Sequence, residues 1–394
     1  MRILKVCSVF YPAYAYGGPV AVAYMFSQEL VKRGHKVIVL SSNSYDAKKC
    51  IKRTYAEING VKVYYFPNLS NYLAWNYRIF TPLSMILAME SFVKKTDIIH
   101  MHDFRTIHNI AAYRCAKRYK KPYIVQAHGS ILTYFQRGTL KIIYDKLWGF
   151  DLLFNASKIF VLNKFEFNQC KQLGIPDEKI EIVPNPIDLN LFKKMPERGY
   201  FRRKYKIPLD SKVILYLGRI HKIKGVDILV KAFAYLIREK HLKDKDILLV
   251  IAGPDDGYLK YTKMLVSYLN IDKYVLFTGP LYGQTKIAAY VDADICVFPS
   301  RYETFPVTLL EVYACGKPVI ASSVGGLIDL VINGKTGVLV EPGNERSLMR
   351  AISFLINNPE LIKKMGDNGK EYVKKFDIKK IVERLEKIYK NITG

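Results

Sequence analysis

Ile295-Cys296-Val297-Phe298-Pro299-Ser300-Arg301-Tyr302-Glu303-Thr304-Phe305-Pro306-Val307-Thr308-Leu309-Leu310-Glu311 decides how this chain is read. Its first five residues form a continuous apolar run ending at proline, as in a strand buried on both faces. A polar loop follows. Pro306 suits the first turn of a helix running to about Ala314, where a missing N–H costs nothing. Strand, loop and helix in this order are the repeating unit of a parallel α/β sheet.

The same alternation extends in both directions. Upstream, strand-like runs begin at Ile3, Lys36, Val61, Ile98, Tyr123, Ile159 and Ile180, mostly separated by helical periodicity. Around Pro184-Asn185-Pro186-Ile187-Asp188 the pattern pauses in turn chemistry, followed by a basic, proline-punctuated stretch over 193–208. It then restarts with runs at Val213, Ile247, Val275, Ile295, Pro318 and Gly337. The reading is two doubly wound α/β domains, 1–190 and 205–376, joined by a linker near 185–208. An amphipathic helix over 377–389 closes the chain, with Glu383/Lys387 and Glu386/Lys390 spaced i,i+4.

Composition agrees with two folded domains. Of 394 residues, 50% are hydrophobic and 24% charged, which excludes wholesale disorder. No apolar run reaches the ~18 residues of a membrane span. The N-terminus enters a strand at once and lacks the regions of a signal peptide. The six cysteines are scattered with no CxxC pair, which suits a reducing cytosol rather than a disulfide framework or zinc ribbon. The net charge of +26 is spread over both halves of the chain. Such a surface suits phosphorylated ligands, acidic lipid or nucleic acid, and equally an ordinary lysine-rich face.

In open α/β sheets, ligands sit at the carboxyl ends of the strands. The loops there carry the candidate residues. After the first strand, Gly17-Gly18-Pro19 allows close backbone approach and opens a helix. It is neither GxGxxG nor Walker A. Gly218-Arg219-Ile220-His221-Lys222-Ile223-Lys224-Gly225 places Arg219 and Lys224 near a helix start, a pairing suited to a diphosphate or to a plain basic loop. In the opening segment, N–H groups of Val307, Thr308 and Leu309 form an anion site, with Arg301 as a further donor. Glu303 and Glu311 flank it. As a glycosidase pair they would have to face one scissile bond. A loop carboxylate and a helix carboxylate fit recognition of hydroxyls better. His128, ending a strand, can bond a sugar hydroxyl or the local backbone. His100-Met101-His102-Asp103 resembles a metal cluster, but His102 and Asp103 read better as the lining of an acceptor pocket. No metal site is expected.

Glu303-x7-Glu311, followed by Cys315-Gly316-Lys317-Pro318-Val319-Ile320-Ala321 and Gly325-Gly326, resembles the family 4 retaining glycosyltransferases (glycosyl transferases group 1). Arg219 and Lys224-Gly225 match that family's diphosphate-binding pair. Gly17-Gly18, Arg33-Gly34-His35, His128-Gly129 and Asn185-Pro186-Ile187-Asp188 fall in the family's order. The resemblance covers essentially the whole chain. It implies the GT-B fold, two Rossmann-like domains facing a central cleft, with the helix over 377–394 packing back on the first. It implies a nucleotide-diphosphate sugar as donor, no cofactor or obligatory metal, and retention of anomeric configuration.

By motif position, Glu311 would bind ribose hydroxyls and Glu303 hydroxyls of the transferred sugar. Arg219 and Lys224 would hold the diphosphate, His128 would contact the sugar, and the Gly17-Gly18 turn would close near the phosphates. Pro306 departs from the family, where glycine is usual, and removes one N–H. The acceptor, a glycan or lipid-linked hydroxyl, is expected on the first domain. Aromatic stretches 71–80 and 132–135, the latter with Tyr134, could grip it or touch an anionic membrane. Burial is expected to explain the aromatic stretch 140–154. The expected location is the cytoplasm, at the inner face of the membrane. Alternatives are a soluble disaccharide or glucan synthase, a nucleotide-sugar epimerase, and a nucleic-acid-binding protein; nothing in the sequence marks a specific nucleic-acid module.

Overall fold

The computed structural model describes residues 1–131, 138–240 and 246–394. The chain divides into two units: 1–186 with 378–394, and 187–377.

The first unit is built on eight strands: β1 (Arg2–Cys7), β2 (Lys36–Ser42), β3 (Tyr55–Ile58), β4 (Val61–Phe66), β5 (Ile98–His102), β6 (Tyr123–Gln126), β7 (Lys158–Val161) and β8 (Ile180–Ile182). Their order is β3-β4-β2-β1-β5-β6-β7-β8. All neighbours are parallel except β3 and β4. The continuous apolar runs are accounted for by burial: β1, β5 and β6 are buried almost throughout. β3 is a strand that the apolar-run reading missed. It pairs back on β4 through Asn59 and Gly60, both at positive φ (50° and 78°). Asn-Gly is the dipeptide that fits such a two-residue hairpin turn.

The second unit has six strands: β9 (Lys212–Leu217), β10 (Ile247–Ala252), β11 (Val275–Gly279), β12 (Ile295–Phe298), β13 (Val319–Ser322) and β14 (Gly337–Val340). All are parallel, in the order β11-β10-β9-β12-β13-β14. In each unit the strand order reverses at one point, between β1 and β5 and between β9 and β12. Helices cover the sheets. Val226, Leu229, Phe233 and Ile352 pack under β9 and β10 in the second core, as Met85, Met89 and Leu152 do in the first. Fully burying one such side chain stabilises the fold by about 1.5–3 kcal/mol.

The last helix, Ile378–Thr393, belongs to the first unit. Glu386 faces Arg33 at 3.4 Å and His35 at 3.3 Å, and Arg33 donates to the Lys379 carbonyl at 2.9 Å. Arg33-Gly34-His35 therefore serves as the dock for this helix, with Gly34 supplying the positive φ of the turn.

The stretch read as a linker packs on the second unit from Ile187 onward. The reason is one buried arginine. Arg202 is 1% exposed and donates to the carbonyls of Pro208, Ser211 and Asp292 at 2.7–2.9 Å. Its guanidinium lies 3.2 Å from the Asp294 carboxylate. Asp292 returns the contact by accepting the N–H groups of Gly199 (2.5 Å) and Arg202 (3.0 Å). Removing one partner of such a buried pair strands the other. Arg202→Met should lower the stability of this unit by about 3–5 kcal/mol in urea denaturation. A loss below about 1 kcal/mol would show that the segment is held by other contacts.

Candidate active site

In the second unit, the loops after β9 and β12 meet where the strand order reverses. They touch backbone to backbone. A Cβ on Gly225 would lie 1.9 Å from the Pro299 carbonyl oxygen, and Gly225 has φ +67°. The Arg301 N–H donates to the Ile223 carbonyl at 2.8 Å. This contact brings Lys224 against Glu303, with Nζ 2.5 Å from Oε2. Glu303 is held from another side. The Gly326 N–H bonds its carbonyl at 3.0 Å, and a Cβ on Gly325 would strike that oxygen at 2.2 Å.

Each charged residue expected here has an opposite partner. Arg219 forms a short ion pair with Asp256. Glu311, on the helix Val307–Ala314, accepts from Lys286 (2.7 Å) and from the Tyr290 hydroxyl (2.9 Å). Sequence reading missed Asp256, Lys286 and Tyr290. Asp256 could have been suspected, because Gly253-Pro254-Asp255-Asp256-Gly257 is a turn after a strand. Lys286 and Tyr290 carried only helical spacing.

Three expectations change. Arg301 is not a free donor: its guanidinium is bidentate to Asp227 (2.7 Å twice) and also donates to the Lys222 carbonyl at 2.7 Å. A fork matched so closely to a carboxylate joins the two loops. The helix begins at Val307, with Pro306 as its cap. Leu309 is no part of an open anion site, because its N–H bonds the Pro306 carbonyl at 3.0 Å. The N–H groups of Val307 and Thr308 remain at the helix start.

In the first unit, Gly17 caps the helix Gly18–Lys32 at φ +99°, with Pro19 in its first turn. Asp103 follows β5 at φ +66°, and its carboxylate accepts the Ser8 N–H at 3.4 Å. His108 lies 3.3 Å from the Ser8 hydroxyl. His102 does not line a pocket. It is 3% exposed, and its Nδ1 is 2.9 Å from His128 Nε2. On a strand, alternate residues share a face, so His100 and His102 both turn into the helical layer. His128 itself is half-buried at φ +49°. Behind its turn sits Glu166, buried, accepting the Leu162 N–H at 2.6 Å. Burial pushes the Glu166 carboxyl up to about 7, against the opposing pull of the Leu162 and Gly129 N–H groups.

Tyr134 lies outside the described residues. The helix Asn71–Tyr77 carries Tyr72 and Tyr77 exposed, while Trp75 packs edge-on against Tyr16 at 5.1 Å. Burial explains part of the stretch 140–154: Leu152 and Leu153 are fully buried and Tyr144 and Phe150 partly so, whereas Ile142, Ile143, Leu147 and Trp148 are exposed. Among the described residues no helix is long and apolar enough to cross a membrane, and no three or more His, Cys, Asp or Glu residues could hold a metal ion.

Two doubly wound α/β units in one chain are the components of the GT-B class of architecture. The comparison with solved structures agrees: Anabaena HepE, solved with UDP-glucose, matches with a TM-score of 0.79 over 99% of this chain and 100% of that one, at 19% identity. The Glycosyltransferase Family 4 model matches residues 16–191, and the Glycosyl transferases group 1 model matches 197–372. The chain belongs to this glycosyltransferase family. It is 28% identical over 398 residues to an uncharacterised glycosyltransferase of Methanocaldococcus jannaschii, covering 96% of each chain. It is 26% identical over 397 residues to the N-acetyl-α-D-glucosaminyl L-malate synthase of Bacillus anthracis, covering 99% of this chain and 97% of that one.

Glu166 gives the first unit a pH signature. An unfolded glutamate titrates near ~4.3, whereas the folded one is raised to about 7. The folded state thus binds this proton more tightly. Its contribution is complete below the unfolded value and is lost as pH rises through the folded one. Glu166→Gln removes that loss. The stability of the variant relative to the native chain should rise by about 1.4 kcal/mol per pH unit between those limits. Parallel stability curves for the two proteins would contradict the assignment.

Proposed function

We propose that the protein is a retaining, hexosyl-type glycosyltransferase. It moves a sugar from a nucleoside-diphosphate sugar to a hydroxyl of a glycan or lipid-linked acceptor, in polysaccharide, glycolipid or glycoprotein-glycan biosynthesis. The observation that carries this reading is the Lys224–Glu303 pair, set by backbone contacts three residues before the helix cap at Pro306.

Breaking the anomeric C–O bond leaves negative charge on the diphosphate and oxocarbenium character on the sugar. Lys224, Arg219 and the N–H groups of Val307 and Thr308 are assigned to the diphosphate. One preorganised donor of this kind is worth about 3–4 kcal/mol in the transition state. Lys224 exchanges Glu303 for phosphate, and Glu303 then accepts hydroxyls of the sugar. Glu311 accepts the vicinal hydroxyls of ribose, its plane fixed by Lys286 and Tyr290. The two side-chain cations supply the charge that an obligatory metal would, and no cofactor is required. A leaving-phosphate oxygen takes the acceptor's proton on the same face, which retains configuration without a dedicated base. His128 is assigned to the sugar and the Gly17-Gly18 turn to the phosphates. Arg301 acts indirectly, by tying the loops.

The acceptor is assigned to the first unit, with Asp103 and the exposed rings of Tyr72 and Tyr77 as contacts. The protein is proposed to work in the cytoplasm at the inner face of the membrane. Exposed Ile142, Ile143, Leu147 and Trp148 beside Lys146 support contact with anionic lipid.

A thermal-shift screen against UDP-, GDP-, ADP- and TDP-sugars, with chelator present, tests the donor. Ligand at about 100 times its Kd should stabilise the native state by about 2.7 kcal/mol. Glu311→Ala should abolish that shift, and Lys224→Ala should lower turnover roughly a hundredfold. No shift with any donor, or full turnover in Lys224→Ala, contradicts the reading. For the membrane, Leu147→Glu should release the protein from sedimenting anionic vesicles; unchanged binding removes this surface from the account.

A further inference from the structure

In the second unit, the Glu311 carboxylate is held from the neighbouring helix, Gly283–Asp292. The hydroxyl of the buried Tyr290 donates to it at 2.9 Å. Lys286, one turn earlier and nearer the surface, donates at 2.7 Å. One further turn back stands Tyr282, which caps the helix and is 68% exposed. Residues at i, i+4 and i+8 lie along one side of a helix. Tyr282, Lys286 and Tyr290 therefore form a stripe that rises from the core to the surface on the side of Glu311. At 1.5 Å per residue, Tyr282 stands about 6 Å beyond Lys286 along the axis.

The space around this ring is open. Gly279 and Gly283, on either side of Tyr282 in the chain, both have positive φ (72° and 53°). A Cβ on either would meet nothing within 4 Å. An exposed tyrosine is ordinary by itself. What sets Tyr282 apart is its alignment with the two residues that grip Glu311.

Glu311 links two helices. It belongs to Val307–Ala314, whose first N–H groups are assigned to the diphosphate, and it is bonded from Gly283–Asp292. A nucleotide with its phosphates at the start of the first helix and its ribose on Glu311 runs toward the second. Phosphate and base leave a ribose from opposite ends of the ring, so the base continues past Glu311 on the side of Lys286 and Tyr282.

We propose that Tyr282 is a stacking platform for the base of the donor nucleotide. This rests on the assignment of Glu311 to the ribose. Every base has a π-face, so a ring of this kind contributes affinity and little discrimination among bases.

The test is titration calorimetry of the native chain with UDP, GDP, ADP and TDP, repeated for Tyr282→Ala and Tyr282→Phe with whichever diphosphate binds most tightly. Melting temperatures establish that both variants fold. Tyr282→Ala should weaken binding roughly 10–100-fold, while Tyr282→Phe, which keeps the ring, should stay within about twofold. In NMR spectra of the bound nucleotide, the base protons should move upfield over the ring in the native chain and in Tyr282→Phe, and lose that shift in Tyr282→Ala. A merely structural role for Tyr282 would not move those signals. Tyr282→Ala binding within twofold of the native chain, a loss in Tyr282→Phe as deep as in Tyr282→Ala, or base protons unshifted in the native complex would overturn the proposal and leave the donor reading standing. A native chain that binds none of the four diphosphates would overturn both.

Discussion

The second unit depends on a place where two backbones nearly touch. Gly225 lies against the carbonyl of Pro299, at a distance where any side chain would collide. That contact lets the loop after β9 cross the end of β12, and the neighbouring interactions follow from it. Ile223 accepts the Arg301 N–H, and Arg301 clasps Asp227. Gly325 allows a third loop onto the Glu303 carbonyl. Lys224 and Glu303 are thus set by main chain, which moves less than long side chains do. Groups fixed before the reaction need not reorganise during it, the condition under which they stabilise developing charge best.

The charges around this contact are arranged in pairs. Lys224 faces Glu303, Arg219 faces Asp256, Arg301 faces Asp227 and Lys286 faces Glu311. The pairs differ in what they leave available. Arg301 uses both prongs of its guanidinium on one buried carboxylate and contributes order. Lys224 and Glu303 meet through one nitrogen and one oxygen. On the proposed reading, a diphosphate sugar takes over both halves of that pair, phosphate for the lysine and hydroxyls for the glutamate. An ion pair that a ligand can replace on both sides spares either charge from burial without a partner. The net charge of +26 adds long-range attraction for an anionic donor but selects none.

Much of this was legible in the sequence because parallel strands covered on both faces advertise themselves as apolar runs. Among the described residues, thirteen of the fourteen strands were read that way. The exception, β3, is a short edge strand whose signal was the Asn59-Gly60 turn rather than its own residues. Glu303, Arg219 and Lys224 stood out because strand-end loops are where such groups collect, and Glu311 because it lies on the helix that such a loop opens. Their partners did not, because Asp227, Asp256 and Lys286 are brought in from distant loops and helices. Arg202 was hidden in a basic stretch that looked like a solvated linker; its partners are mostly carbonyls, which no residue type announces. His102 was placed at a pocket by its position at a strand end, yet side-chain alternation turned it inward. Of the stretch 140–154, expected to be buried, Leu152 and Leu153 are, while Ile142, Ile143, Leu147 and Trp148 lie at the surface.

The most direct measurement is a crystal structure of the protein with UDP bound. The account predicts diphosphate oxygens within hydrogen-bond reach of Lys224 Nζ, Arg219 and the N–H groups of Val307 and Thr308, and ribose hydroxyls on the Glu311 carboxylate. Nucleotide bound elsewhere, with the Lys224–Glu303 and Lys286–Glu311 pairs untouched, would contradict it.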